Sequence, residues 1–312
     1  MDPLMQWGLH IVQWMQTFRT PVLDTFFRAA SFLGEENFYI LFFPIIYWCL
    51  HKRIGSRLAV LFLSSAYANA FFKSLFAAPR PHQVDPTLYA PLKASGHGIP
   101  SGHTQDTVAI WGYIATQLRT WFWWALAFVL PFLVGLSRIY LGDHFPQDVI
   151  AGAIIGTIFL VVYVAVEPWV SQWFATRTTL WTRLAIAITI PLLLATVYLK
   201  DAGSVLGTLW GVMIGLVLES EWIRFDHHAS PTKQIIKLVI GLGIALGLRF
   251  GLKAILPAGD IATFFRYGVI GFWVTFGAPW IFVKTRLAEQ LIHPSPVISH
   301  SPIVDLESRI EP

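Results

Sequence analysis

Charge is what this sequence has least of: 13% of its 312 residues are Asp, Glu, Lys or Arg, about half the share carried by a soluble globular chain. Too little polar side chain is present to solvate an ordinary globular surface, so a soluble protein is excluded. The 22 Lys and Arg residues are scattered without a long basic run. The formal charge of +4 therefore reflects topology and site chemistry, and a nucleic-acid partner is not expected. Cysteine is nearly absent. The single Cys49 excludes an intramolecular disulfide and reads as a small core residue. The first residues, MDPLMQWGLHIVQWMQTF, contain no basic n-region and no small-residue cleavage site, so they do not read as a removable signal peptide.

Apolar and aromatic residues take the place of charge: 55% of the chain is hydrophobic, with 14 Trp and 24 Phe. That abundance suits lipid-facing helices with aromatic belts at the membrane interfaces. A membrane span needs roughly 20 mainly apolar residues. Windows that meet or approach this occur at 37–51, 56–77, 105–118, 121–141, 147–167, 183–199, 203–219, 234–255 and 266–283. The expected fold is an all-α, polytopic transmembrane bundle of about nine spans. Residues 3–18 fall short of a span, but Trp7, Ile11, Trp14, Met15 and Phe18 recur at helical spacing, predicting an amphipathic helix in the interface.

Four regions follow from this pattern: an interfacial segment (1–30), a core of five spans (31–170), an accessory region of four Gly-rich spans (180–285) and a polar, Pro-rich tail (293–312) expected to be disordered. The Lys and Arg bias places the 79–104 loop and the 138–148 segment on the extracytoplasmic side of a plasma (inner) membrane, with the C-terminus cytoplasmic.

Three polar clusters stand where the first spans meet that face: KSLFAAPRP (73–81), PSGH (100–103) and SRIYLGDHFPQD (137–148). Lys73, Arg80 and Arg138 are three cations at the membrane boundary, where unpaired charge is costly and marks function. With no acidic surplus beside them they call for an anion, and a phosphoryl group suits the fork of Arg and the point charge of Lys. Ser101 and Gly102 open a predicted helix, whose free N–H groups and dipole favour the same anion. His144 precedes Pro146, a first-turn residue, and Asp148 lies four positions on. That spacing lets the carboxylate hold one imidazole nitrogen while the other attacks phosphorus. His103 is then available to protonate the leaving alkoxide and activate the water that follows. No carboxylate cluster suited to Mg²⁺ or Ca²⁺ is evident, so the expected chemistry uses no metal and no cofactor.

These three segments resemble the signature motifs of the type-2 phosphatidic-acid phosphatase and vanadium haloperoxidase superfamily: Lys-x6-Arg-Pro, Pro-Ser-Gly-His and Ser-Arg-x5-His-x3-Asp. All eleven fixed positions match in order. GEENFYILFFP (34–44) also looks like the start of the core in the sphingosine-1-phosphate phosphatase branch. The resemblance covers residues 30–170. It implies a six-helix core with the site on helix ends at the extracytoplasmic side. It implies His144 as nucleophile, Asp148 as its orienter and His103 as general acid, with Lys73, Arg80, Ser101, Gly102 and Arg138 holding phosphate. The activity implied is metal-free hydrolysis of a lipid phosphomonoester or pyrophosphate through a phosphohistidine. Two alternatives share the site: transfer of the phosphoryl group to another lipid, and a non-catalytic transport or scaffold protein. Vanadate-dependent halide oxidation is disfavoured, because those relatives are soluble.

Other polar residues receive plainer readings. Asp226, His227 and His228 read as a solvated loop, and Glu219 and Glu221 as solvated charges or partners of Arg224. Asp143 is expected to face water, while Glu35 and Glu36 are possible partners of a motif cation. His82 and His97 flank the site loop, within reach of a substrate headgroup.

Overall fold

A computed structural model describes residues 2–91 and 93–291, so the tail assigned to 293–312 lies outside the described residues. Among these residues every regular element is helical, apart from one isolated bridge between Phe225 and Gln290. The helices are α1 (Pro3–Gln16), α2 (Pro21–Phe32), α3 (Glu36–Leu50), α4 (Lys52–Phe76), the single turn α5 (Pro81–Val84), α6 (Gly102–Leu118), α7 (Trp121–Tyr140), α8 (Pro146–Arg177), α9 (Leu180–Val197), α10 (Gly203–Ile223), α11 (Pro231–Ile255) and α12 (Asp260–Lys284). Seven segments are long and apolar enough to cross a membrane, namely α4 continued through α5, and α7 to α12. The protein is an integral membrane helical bundle. All nine predicted windows fall on helices, although α3 and α6 are shorter than those seven.

Local chemistry sets the helix ends. Thr20 accepts a hydrogen bond from the Leu23 N–H to begin α2, and Pro21, Pro146 and Pro231 each occupy a first turn. Helix α4 ends at Ala77 and α6 at Arg119, both in the left-handed conformation (φ 47° and 54°). Helix α8 runs ten residues past its predicted window. Glu167, which breaks the apolar run, pairs with Arg57 at 2.6 Å, so its charge is met inside the bundle and the helix continues.

The core is built around α6. Ile110 and Tyr113 of α6 are buried against Leu58 and Leu61 of α4 and Tyr39 of α3. Helix α8 comes close on another side because Gly152 and Gly156 face α6. A Cβ on either would run into the carbonyl oxygen of Ser101 or Gln105. The N-terminal helices differ from expectation. Helix α2 was not anticipated, and one face of α1 packs onto the protein. Its Val12 is fully buried with Ile139 and Phe145, and Gln16 Nε2 donates to the carbonyls of Tyr89 (2.8 Å) and Tyr140 (3.2 Å).

The last four helices form a second layer against α3 and α4. Helices α10 and α12 touch backbone to backbone, since a Cβ on Gly207 or Gly211 would strike the carbonyl oxygen of Phe264 or Gly268. The seam with the core is polar at one end. Glu219 is buried, accepting from Lys52 Nζ at 2.6 Å and from the Phe225 N–H at 3.0 Å, so it is neither a solvated charge nor a partner of Arg224. Glu221 pairs instead with Arg183 at 3.8 Å. The fully buried Lys237 donates to the Trp48 carbonyl at 2.7 Å.

Candidate active site

The three motifs converge where α4, α6 and α8 meet the loops. The turn after α7 carries His144, and Asp148 sits in the first turn of α8. Asp148 Oδ2 accepts from the Phe145 N–H at 3.0 Å and lies 3.3 Å from His144 Nδ1. A carboxylate accepts only, so this contact places the ring proton on Nδ1 and leaves Nε2 as the unprotonated nitrogen. The Ser101 N–H donates to the Asp148 carbonyl at 2.9 Å, joining the start of α6 to the start of α8.

Arg80 provides the cation nearest the free nitrogen. Its Nη1 lies 3.2 Å from His144 Nε2 and donates to the Asp143 carbonyl at 3.0 Å, while its Nε donates to the Gly96 carbonyl at 3.2 Å. Two backbone acceptors thus aim the guanidinium at the imidazole. His144 lies in a turn and is almost fully buried. Burial, then the charges of Lys73, Arg80 and Arg138, hold its pKa well below the ordinary histidine value. The imidazole is therefore neutral, the form a nucleophile requires. His103, in the first turn of α6, buries its Nε2 with no hydrogen-bond partner among the described residues. Gly102 is packed closely, since a Cβ there would sit 2.9 Å from Asn69 Oδ1.

Arg138 is placed differently from a free anion binder. Its Nη2 stands 2.9 Å from Asp143 Oδ2, both side chains are almost fully buried, and its Nη1 donates to Ser31 Oγ at 2.6 Å. Asp143 therefore does not face water as expected. It neutralises one of the three motif cations. Glu36 meets Arg249 at 3.7 Å instead of a motif cation. Lys73 forms no ion pair among the described residues. The loop Asp226-His227-His228 gathers potential ligand atoms within 4.8 Å, but Asp226 Oδ1 is already taken by His228 Nδ1 at 2.7 Å.

A buried polar network behind Gly102 was not anticipated. Asn69 Nδ2 donates to the Pro100 carbonyl (3.3 Å) and to Gln105 Oε1 (2.9 Å). Gln105 Nε2 reaches Ser65 Oγ (2.9 Å), and Ser65 Oγ donates to Asp106 Oδ1 (2.9 Å). Its signal in the sequence was the spacing of polar residues inside apolar windows: Ser65 and Asn69 one turn apart, Gln105 and Asp106 just after His103.

Two family models match the chain. "PAP2 superfamily" matches residues 55–173, and "PAP2 superfamily phosphatase, transmembrane extension" matches residues 203–290. The chain belongs to the PAP2 superfamily. Among curated relatives it is similar to "Lipid phosphate phosphatase delta" of Arabidopsis thaliana, 26% identical over 57% of this chain and 47% of that protein. It also resembles "Probable sphingosine-1-phosphate phosphatase" of Dictyostelium discoideum, 32% identical over 46% of this chain and 39% of that one. With "Sphingosine-1-phosphate phosphatase 1" of Mus musculus the identity is 26% over 82% of this chain and 71% of the relative. The chain thus spans less than half the length of the first two relatives. Among solved structures, that of Aquifex aeolicus LpxE is 28% identical, covering 50% of this chain and 94% of that one, with a TM-score of 0.46.

Proposed function

We propose that this protein hydrolyses a lipid phosphomonoester or lipid pyrophosphate, without a metal, through a phosphohistidine on His144. The observation that carries the reading is the setting of one imidazole: Asp148 holds Nδ1 while Nε2 faces the Arg80 guanidinium. The phosphoryl group would take the place of Nε2 as the partner of Arg80. Lys73 and the Ser101-Gly102 helix start would share the remaining charge, with Arg138 behind, steadied by Asp143. Nε2 then bonds to phosphorus as the ester oxygen departs, taking a proton from His103. The same histidine next removes a proton from water, which cleaves the P–N bond and releases phosphate and free His144. The site carboxylates Asp143 and Asp148 are bound to Arg138, His144 and the Phe145 N–H, and so committed to orientation. In this reading residues 31–170 are the catalytic core, residues 180–285 an accessory layer, and the site opens on the extracytoplasmic face.

The test is phosphate release from a panel of lipid phosphates in detergent with EDTA present, comparing wild type with His144→Ala. Release by wild type alone supports the proposal, as does an acid-labile labelled phosphoenzyme accumulating in His103→Ala. Equal release by His144→Ala, or activity that requires added Mg²⁺, overturns it. Label passing to an acceptor lipid in preference to water would make the protein a transferase on the same site.

A further inference from the structure

An elongated cavity of about 350 Å³ lies between the core and the last four helices, with Gly102, His103 and Asp106 lining one part of it. On α4 its wall is one helical face, Gly55, Ser56, Ala59, Phe62, Leu63 and Ala66, where four small residues leave the space. The opposite wall belongs to the C-terminal layer, through Val205 and Thr208 of α10, Ala245 and Leu246 of α11 and Ile270 of α12. The lining is mostly apolar, and its charged members, Glu36, Asp106 and Arg249, accompany His103.

Direction follows from the helices. Helix α4 runs from Lys52 towards Lys73 of the first motif, so Ala66 lies towards the catalytic groups and Gly55 at the far end. Eleven residue steps separate Gly55 from Ala66, a length of about 16 Å at about 1.5 Å per residue. An apolar-walled space of that length can take an alkyl chain lying along α4.

We infer that this cavity holds the hydrocarbon chain of the substrate, and that the C-terminal layer is present to enclose it. The substrate's headgroup would sit among Lys73, Arg80 and His144, with an alkyl chain running past His103 towards Gly55. The cavity wall reaches Gly102 and His103 of the second motif and is mostly apolar beyond them, which matches the alkyl end of such a molecule. The Glu36–Arg249 pair, at 3.7 Å, bridges core and C-terminal layer at the headgroup end. This inference rests on the phosphatase reading for its headgroup, while the tail site stands on the cavity alone.

Two measurements test it on the full chain. In the first, a lysophosphatidate with a diazirine at the end of an 18-carbon chain is photolysed with wild type and with His144→Ala. Label on the Gly55–Ala59 stretch or on α11 near Ala245 in both proteins supports the tail site, whether or not either protein turns over. Label confined to lipid-facing positions such as Val161 and Val162 overturns it. In the second, kcat/KM is compared for 18-carbon and 6-carbon lysophosphatidates. Wild type should prefer the 18-carbon to the 6-carbon chain at least tenfold. Ala59→Trp and Ala245→Trp, filling opposite walls, should each lower the ratio of long to short single-chain rates at least tenfold. An unchanged ratio in both folded variants, or equal turnover of long and short chains by wild type, overturns the inference. Labelling in the cavity without phosphate release from any lipid would refute the phosphatase reading and leave the tail site standing.

Discussion

The two layers use the same device for different ends. In the core, Gly152 and Gly156 let α8 approach α6, and that approach brings the turn bearing His144 and Asp148 against Ser101. In the C-terminal layer, Gly207 and Gly211 let α10 approach α12, where they meet the backbone of Phe264, Gly268 and Phe272. Close helix packing is therefore not by itself a mark of chemistry. What separates the layers is where charge has been buried: around Arg138 and Asp143 in the core, and at the Lys52–Glu219 seam between the two.

The comparison can be broken at several points. The largest effect is expected from Asp148→Asn, which replaces the carboxylate facing His144 Nδ1–H with a neutral amide that can donate as well as accept. A loss of roughly 10³–10⁴-fold in kcat should appear with the fold intact, and a loss under tenfold would remove Asp148 from the orienting role. Next comes Asp143→Leu, which leaves Arg138 buried without its counter-charge. Destabilisation of about 3–5 kcal/mol is expected in a denaturation series, largely recovered by adding Arg138→Met. Failure of the second change to restore stability would mean that the pair is not the source of the loss. Gly152→Val and Gly211→Val should each cost about 1–3 kcal/mol through overpacking. Only the first should also lower kcat more than tenfold at a temperature where both variants are folded. An equal fall in both would erase the distinction between the layers. The smallest effect concerns protonation. Lys73 is one of the charges that keep the His144 imidazole neutral, so Lys73→Met should raise its pKa. NMR titration of the ring carbons reads this directly, and a fall instead of a rise would contradict the electrostatic account.

The sequence made some of this legible and not the rest, for a physical reason. His144 and Asp148 are bound by helical spacing within five residues, and the Pro146 helix start could be read without knowing any neighbour. The partners of the cations could not. Asp143 is adjacent to His144 in the chain, yet its burial against Arg138 depends on how the turn after α7 folds back. Ser31, which completes the Arg138 environment, lies on α2. That helix was hidden because Asp24, Thr25, Arg28 and Ser31 break its apolar pattern. Glu219 looked like an ordinary charge at a span end until Lys52, 167 residues away, was seen to meet it. Periodicity shows that a helix has two kinds of face. It does not show which other helix each face will meet.

Helix α4 has partners on both sides, with α6 across one face and α10 across the other, and that shapes how the molecule can be shortened. A version ending after α8 would keep every motif residue, yet its fourth helix would present Gly55, Ser56, Ala59 and Ala66 directly to lipid and leave the Lys52 ammonium without Glu219. Such a minimal catalyst would need larger apolar side chains along that face and a neutral residue at position 52. Modularity in the sequence is thus not separability in the bilayer: the border between the two layers is a shared wall, and redesigning either layer means redesigning α4.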